Sequence, residues 1–154
     1  MKKNRYIKKI VIYIRPWLNQ SEKIYKLYKK ANKYIERKKE YVAYFYFYKI
    51  YKKFGCYISP KAKIGKNLIL PHPNGIVIGA EATIGENVTI YQNVTLGRKK
   101  GNILGCPTIG NNVTIYCNSV LVGDISIGDN TIIGCNSTIL KSVEPNSKCV
   151  GVVK

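Results

Sequence analysis

Residues 109–139 read IGNNVTIYCNSVLVGDISIGDNTIIGCNSTI, and in this stretch every sixth residue is a large aliphatic. These positions are Ile109, Ile115, Leu121, Ile127, Ile133 and Ile139. An earlier run keeps the same interval at Ile58, Ile64, Leu70, and then at Ile78, Ile84, Ile90 and Leu96. A short repeat of fixed length predicts a solenoid of stacked parallel strands rather than an ordinary globular core.

Within each six-residue unit, the fifth position is also small or β-branched, as at Ala62, Val88 and Val113. We expect the first and fifth positions to point inward. Between them lie glycine and asparagine, which tolerate the positive φ angles that sharp corners require. Three units are expected to close one triangular turn, so that stacked turns bury a continuous aliphatic core.

The repeat is interrupted twice, and the first interruption holds the only histidine of the chain, His72, between Pro71 and Pro73. Neutral imidazole is a suitable general base near neutral pH. A lone histidine is more often a packed or solvated ring. Its place at a break in a strict repeat, where binding residues concentrate, favours a catalytic role instead.

The charge is concentrated at the N-terminus. Residues 1–60 contain 17 Lys/Arg and 3 Asp/Glu, a balance of +14, which leaves +4 of the total +18 for residues 61–154. A basic segment suits an anionic membrane surface, nucleic acid or an acidic polymer. A/T-rich codons are an alternative source of part of this bias. No recognition motif accompanies the charge, so nucleic acid is not predicted as a partner.

The five cysteines form no CxxC or Cys/His pair, so no metal site is predicted. We identify no secretory leader and expect a cytoplasmic protein with reduced thiols. The longest apolar stretch, residues 41–48, is too short to span a bilayer. A peripheral contact of residues 1–54 with the inner membrane face stays open.

Residues 1–54 are predicted to be a helical N-terminal segment, and residues 55–154 a β-helix domain. Pro16 is expected to interrupt the segment, and Ser21 to begin a helix as its capping residue. The charged stretch 37–40 is expected to join two helices, and Gly55 to end the second one.

The stretch YISPKAKIGKNLILPHPNGIVIGAEATIGENVTIYQNVTLG (Tyr57–Gly97) resembles the hexapeptide-repeat acyltransferases. Within them it is similar to the serine O-acetyltransferase branch, most of all to its members in capsule and exopolysaccharide synthesis. The resemblance implies a left-handed parallel β-helix, although the general rule for parallel crossovers predicts the opposite hand. It also implies a homotrimer that binds acetyl-CoA, without a metal, between neighbouring subunits.

The resemblance assigns roles to particular residues. His72 matches the catalytic histidine. The coenzyme groove matches Gly97, Arg98, Cys117, Gly134 and Cys135. Apart from the resemblance, Asn74 and Cys106 are candidates for contacts with the acceptor substrate; a turn residue and a small loop residue, respectively, are the alternatives.

Two departures bear on the acceptor. Serine acetyltransferases have an aspartate where this chain has Pro71, and an Arg-His pair where it has Gly105-Cys106. Because these groups hold the amino acid in the family, we expect the acceptor to be a sugar hydroxyl of a polysaccharide or its precursor. Serine O-acetylation in cysteine synthesis and a non-catalytic β-helix scaffold are the alternatives. A zinc enzyme of the γ-carbonic anhydrase type would need three histidines.

Overall fold

The computed structural model describes residues 3–99 and 105–154, with side chains from Gln20 onward in these ranges. The chain begins with helix α1 (Lys3–Glu36) and helix α2 (Glu40–Phe54). Short strands follow from Tyr57 to Val153, and every strand pair is parallel. The helices thus precede the repeats along the chain.

The strands form three sheets, which are the three faces of a parallel β-helix. The first sheet contains β1 (Tyr57–Ile58), β3 (Val77–Ile78), β6 (Thr95–Gly97), β9 (Val120–Val122), β12 (Thr138–Ile139) and β14 (Val152–Val153). The second contains β2 (Lys63–Ile64), β4 (Thr83–Ile84), β7 (Thr108–Ile109) and β10 (Ser126–Ile127). The third contains β5 (Thr89–Ile90), β8 (Thr114–Ile115), β11 (Ile132–Ile133) and β13 (Lys148–Cys149).

The register of the paired strands gives the number of residues in each coil. Ile109 pairs with Ile127 and Ile115 with Ile133, a spacing of 18 residues, or three hexapeptides. Across the first interruption Ile58 pairs with Ile78, a spacing of 20, so that two residues are inserted. Across the second, Ile84 pairs with Ile109, a spacing of 25, so that seven are inserted.

The core confirms the predicted inward positions. All thirteen aliphatic residues at the first position of the units are at most 6% exposed. The fifth positions are also buried, except for Val143, which is partly buried. Where that position is polar, the hydroxyl is satisfied internally. Ser119 and Ser137 both donate to the carbonyl oxygen of Gly134, at 2.8 and 2.7 Å.

Asparagine provides the left-handed corner residues. Eight asparagines have φ between 56° and 60°. At the corner between the second and third sheets they form a side-chain ladder, in which each amide donates to the next oxygen at 2.9–3.1 Å: Asn67, Asn87, Asn112, Asn130 and Asn146. Gly110, by contrast, has a negative φ, and its lack of a side chain allows the next coil to approach closely. A Cβ there would lie 2.3 Å from Asp129 Oδ1.

Helix α1 covers the open end of the first coil. That coil has no preceding coil to satisfy its backbone, so its polar groups need other partners. The Tyr28 hydroxyl donates to Ala62 O at 2.6 Å and accepts from the Ile64 N–H at 3.1 Å. The Asn32 amide donates to Pro60 O at 3.0 Å. Apolar side chains on the same face of α1, including Ile24, are buried against the core.

Two predictions for the N-terminal segment are wrong. Helix α1 runs through Pro16 to Glu36, and Ser21 lies inside it rather than at its start. The Ser21 hydroxyl is used in a contact with the β-helix, which local sequence does not reveal. The predicted connection between the two helices and the predicted end of the second helix at Gly55 are confirmed. Lys38 has φ 56° between the helices, and Gly55 has φ 64°, its N–H donating to Tyr51 O.

Within residues 3–99 and 105–154, neither helix is long and apolar enough to cross a membrane. The membrane contact predicted for residues 1–54 depends in part on residues 1 and 2 and on the side chains of residues 1–19, which lie outside the described part.

Candidate active site

His72 lies on a two-residue insertion at one corner of the β-helix. Ile69 bridges to Thr89 and Val77 pairs with Thr95, so eight steps of the first coil match six of the second. The insertion falls where the third sheet turns into the first. We call this the His72 corner: residues 71–75, 91–93, 116–118 and 134–136 of four successive coils.

The insertion is fixed at both ends. On the near side, the Ser21 hydroxyl contacts both backbone polar groups of Leu70. On the far side, the Gly75 N–H donates to Gly55 O, and the Asn93 N–H donates to Asn74 O, each at 3.0 Å. Between these anchors His72 is exposed, with its carbonyl accepting from the Asn74 N–H at 2.8 Å. The ring is thus presented to solvent from a supported loop.

Two tyrosines continue from His72 along the corner. The His72 ring centroid is 6.4 Å from that of Tyr91, and Tyr91 stacks on Tyr116 at 4.9 Å. Beside Tyr91, the buried Oε1 of Gln92 has no hydrogen-bond partner within the described part of the chain. The corner therefore combines an accessible imidazole, an aromatic wall and an unused acceptor.

The same corner holds most of the predicted site residues. Asn74, Gln92 and Cys117 occupy equivalent positions in successive coils. Their carbonyl oxygens accept hydrogen bonds from the backbone N–H groups of Asn93, Asn118 and Asn136, respectively. Cys135 is the next member of this column, preceded by Gly134. The structure thus brings Asn74, Cys117, Gly134 and Cys135 to the side of the molecule that carries His72.

Gly97, Arg98 and Cys106 lie at the next corner, where the first sheet turns into the second. Arg98 forms an ion pair with Glu81 there. Cys106 is buried, and its Sγ would lie 2.9 Å from a Cβ at Gly79. The first sheet separates this group from His72 within one chain. The seven-residue insertion leaves from this corner, and its residues 100–104 lie outside the described part.

The side chains at the His72 corner suit proton transfer from an incoming hydroxyl. In the described residues, no three Cys, His, Asp or Glu side chains converge as metal ligands would. None of the hydrogen bonds in the same residues reaches the His72 ring.

Sequence comparison assigns the repeat. Residues 106–141 match the family described as bacterial transferase hexapeptide (six repeats). The serine acetyltransferase of Staphylococcus epidermidis strain RP62A is 43% identical over 101 residues, which are 64% of this chain and 46% of that protein.

Solved structures agree with this assignment. The serine acetyltransferase of Neisseria gonorrhoeae in complex with serine superposes with a TM-score of 0.80 at 32% identity, over 86% of this chain and 54% of that one. The enzyme of Brucella abortus in complex with coenzyme A gives 0.80 at 30%, over 83% and 52%. This chain therefore spans about half the length of the relatives that it matches. The hexapeptide fold is the left-handed parallel β-helix that the resemblance implied.

These comparisons correct the predicted acceptor. The relatives and solved structures named above are serine acetyltransferases, so the predicted capsule and exopolysaccharide branch and the predicted sugar acceptor are wrong. The substitutions at Pro71 and Gly105-Cys106 are local, and the likeness to serine acetyltransferases extends over 101 residues. The comparisons give no support to a peripheral membrane contact.

Two parts of the site were not predicted from the sequence. Ser21 supports the insertion through its contact with Leu70, which lies 49 residues later in the sequence. No local sequence pattern indicates this contact. Tyr116 stacks on Tyr91. The sequence does indicate this pair, because Tyr116 lies 25 residues after Tyr91 and the paired strands of these two coils are also 25 residues apart.

Proposed function

We propose that the protein is an acetyl-CoA-dependent serine O-acetyltransferase with His72 as its general base. The observation that supports this most is the exposed imidazole on a loop anchored at both ends, at the corner shared with Cys117, Gly134 and Cys135. The resemblance matches these positions to the coenzyme groove. The serine acetyltransferase relatives supply the acceptor.

The proposed reaction is a single acyl transfer. The neutral His72 imidazole removes the proton of the serine hydroxyl as its oxygen attacks the thioester carbonyl. The tetrahedral oxyanion then collapses, and the carbon–sulfur bond breaks. The coenzyme A thiolate takes the proton back from the imidazolium, which leaves O-acetylserine, coenzyme A and neutral His72.

Asn74 is the proposed acceptor contact. It lies two residues after His72 in the same insertion and is exposed. Its side-chain amide offers both a donor and an acceptor, which suits the carboxylate and the ammonium group of an amino acid. Cys106, the other candidate, is buried against Gly79. We propose that Cys106 packs at the point where the repeat resumes after the second interruption and does not contact serine.

We further propose that the coenzyme groove forms between two copies of the chain in a homotrimer. The predicted groove residues lie at two different corners of one β-helix, with Arg98 at one and Cys117 at the other. A cyclic arrangement that places the His72 corner of one subunit beside the Arg98 corner of its neighbour unites them in one groove. Arg98 would then exchange its Glu81 partner for a coenzyme phosphate.

A peripheral contact of residues 1–54 with anionic lipid is a separate, subsidiary proposal. Its support is the +14 balance of residues 1–60 and the exposed aromatics on α2, such as Tyr41 and Phe45. Flotation with anionic vesicles, with and without residues 1–20, tests it. Equal flotation of the two proteins contradicts it.

The acceptor assay tests the main proposal. Purified protein is mixed with acetyl-CoA, and free thiol is followed with L-serine, with L-alanine as a matched acceptor that lacks the hydroxyl, and with sugars. We expect thiol release with L-serine alone. Release that is equal with serine and alanine contradicts serine O-acetylation. Absence of acetyl-CoA binding favours the scaffold alternative.

A further inference from the structure

Cys117 and Cys135 occupy equivalent places in consecutive coils of the His72 corner. The strands on either side are in register, Ile115 with Ile133 and Val120 with Thr138. The Asn136 N–H donates to Cys117 O at 2.9 Å. The residues that follow the two cysteines, Asn118 and Asn136, share the left-handed conformation at φ 60° and 56°. The two corners therefore have the same backbone path, and the two Cβ atoms point in the same direction.

This stacking gives the two backbones a spacing suited to a covalent link. Neighbouring strands lie about 4.7–4.9 Å apart. The Cα atoms of disulfide-bonded cysteines are usually about 4.4–6.8 Å apart and their Cβ atoms about 3.5–4.5 Å apart, so the two parallel Cβ atoms need to tilt together by a few tenths of an ångström. We propose that Cys117 and Cys135 form a modification site, a dithiol that closes to an intramolecular disulfide on reaction with a small-molecule disulfide.

Cys135 is the accessible thiol of the pair. From Ile133 to Ile139 there are six steps, but from Cys149 to Val153, their partners in the last coil, only four. The last coil therefore cuts this corner short by two residues, and Cys135 is exposed while Cys117 is partly buried.

The remaining three cysteines are placed differently. Cys56 and Cys106 are buried, and Cys149 lies opposite the inward-facing Ile133. Burial also raises the pKa of the Cys56 thiol, which lowers the fraction present as the reactive thiolate. These three are natural internal controls.

The reaction is an ordinary thiol–disulfide exchange. The Cys135 thiolate attacks one sulfur of the reagent, which forms a mixed disulfide and releases one reagent thiolate. The Cys117 thiolate then attacks Sγ of Cys135, which forms the protein disulfide and releases the second reagent thiolate. Both protein thiols are oxidised, one reagent disulfide is reduced to two thiols, and the two cysteine protons go to those products.

Bound coenzyme is expected to protect the two cysteines from oxidation. Only this expectation rests on the proposed function. Cys117 and Cys135 are positions matched to the coenzyme groove, so bound coenzyme A is expected to cover them. Saturating desulfo-coenzyme A, which lacks the thiol that would itself react with oxidised glutathione, should then slow formation of the disulfide. If the disulfide forms at the same rate with and without desulfo-coenzyme A, the groove assignment fails while the dithiol site stands.

Peptide mapping tests the dithiol itself. The native full-length protein is treated with oxidised glutathione, quenched with N-ethylmaleimide, unfolded, and digested without reduction by trypsin and an enzyme that cleaves before aspartate. Cleavage then separates residues 101–123, which contain Cys106 and Cys117, from residues 129–141, which contain Cys135. We expect these two peptides joined by a disulfide, with the loss of two maleimide-reactive thiols per chain.

Three variants locate the bond. Cys106→Ala should retain the cross-linked pair. Cys117→Ala should abolish it and leave glutathione on Cys135, and Cys135→Ala should leave Cys117 largely unmodified. The proposal is overturned if the cross-link survives in Cys117→Ala, if wild-type Cys135 ends only as the glutathione adduct, or if it joins Cys149 or a second chain. Protein oxidised after unfolding serves as the reference for scrambled pairing.

Discussion

The hydroxyl of Ser21 donates a hydrogen bond to the carbonyl oxygen of Leu70 at 3.0 Å and accepts one from the Leu70 N–H at 2.9 Å. Ser21 is 5% exposed, and Leu70 is the last residue before the insertion that carries His72. A single hydroxyl on α1 therefore satisfies both backbone groups at the point where the chain leaves the regular repeat.

Removing this hydroxyl should destabilise the protein. Ser21→Ala leaves the buried N–H and carbonyl of Leu70 without partners, which is expected to cost about 1–3 kcal/mol in the free energy of unfolding. Urea unfolding measures this. The control is Ser126→Ala at an exposed serine, which should change stability by less than about 0.5 kcal/mol. Equal effects of the two variants would show that the contact has no stabilising role.

Tyr28 makes stability depend on alkaline pH. Burial raises the pKa of its phenol to about 12, above the ordinary value of 10 in the unfolded chain. Between these values the folded protein retains a proton that the unfolded chain has lost. The stabilisation is therefore complete below pH 10 and is lost as pH rises through about 12.

Tyr28→Phe isolates this effect from the titration of the lysines. We expect the difference in unfolding free energy, wild type minus variant, to be constant below pH 9 and to fall between pH 10 and 12. A difference that stays flat over this whole range is the contrary result.

The asparagine ladder predicts an order of stability. Asn112 has φ 56° and bonds to Asn87 and Asn130 through its side chain. Asn112→Gly loses both bonds but tolerates the left-handed backbone, whereas Asn112→Ala loses the bonds and is also strained. The alanine variant should be less stable by roughly 1 kcal/mol. The prediction fails if the glycine variant is equally or less stable in urea.

A shared groove can be tested by mixing subunits. His72→Ala removes the proposed base from one corner, and Arg98→Ala removes the proposed phosphate contact from the other. Co-expression of the two variants should restore activity to about a quarter of the sites, since each groove needs one intact residue from each neighbour. The assay uses acetyl-CoA at a concentration at which Arg98→Ala alone is nearly inactive. Activity no greater than the average of the two pure variants places both residues in one subunit's site, or in none.

Much of the β-helix is predictable because its information is local. The six-residue period fixes the inward residues, and asparagine or glycine marks the corners. The course of α1 was not predictable in this way. A helix can continue through a proline such as Pro16 at the loss of a hydrogen bond, when other contacts hold it. Ser21 is engaged by Leu70, far away in the sequence.

The candidate site was predictable in part. The break in the repeat located His72, and counting inserted residues assigns each site residue to a corner. The acceptor was predicted incorrectly from Pro71 and Cys106, because the loss of individual polar groups does not say which other groups replace them. Cys106 is in fact a buried neighbour of Gly79.

The most direct test of the central claim is the steady-state kinetics of His72→Ala with L-serine and acetyl-CoA. Loss of a positioned general base should lower kcat/KM by about 10²–10⁴-fold. Binding of coenzyme A and the urea midpoint should be nearly unchanged, since the ring is exposed and makes no internal hydrogen bond in the described residues. A loss of less than about fivefold would remove His72 from the mechanism.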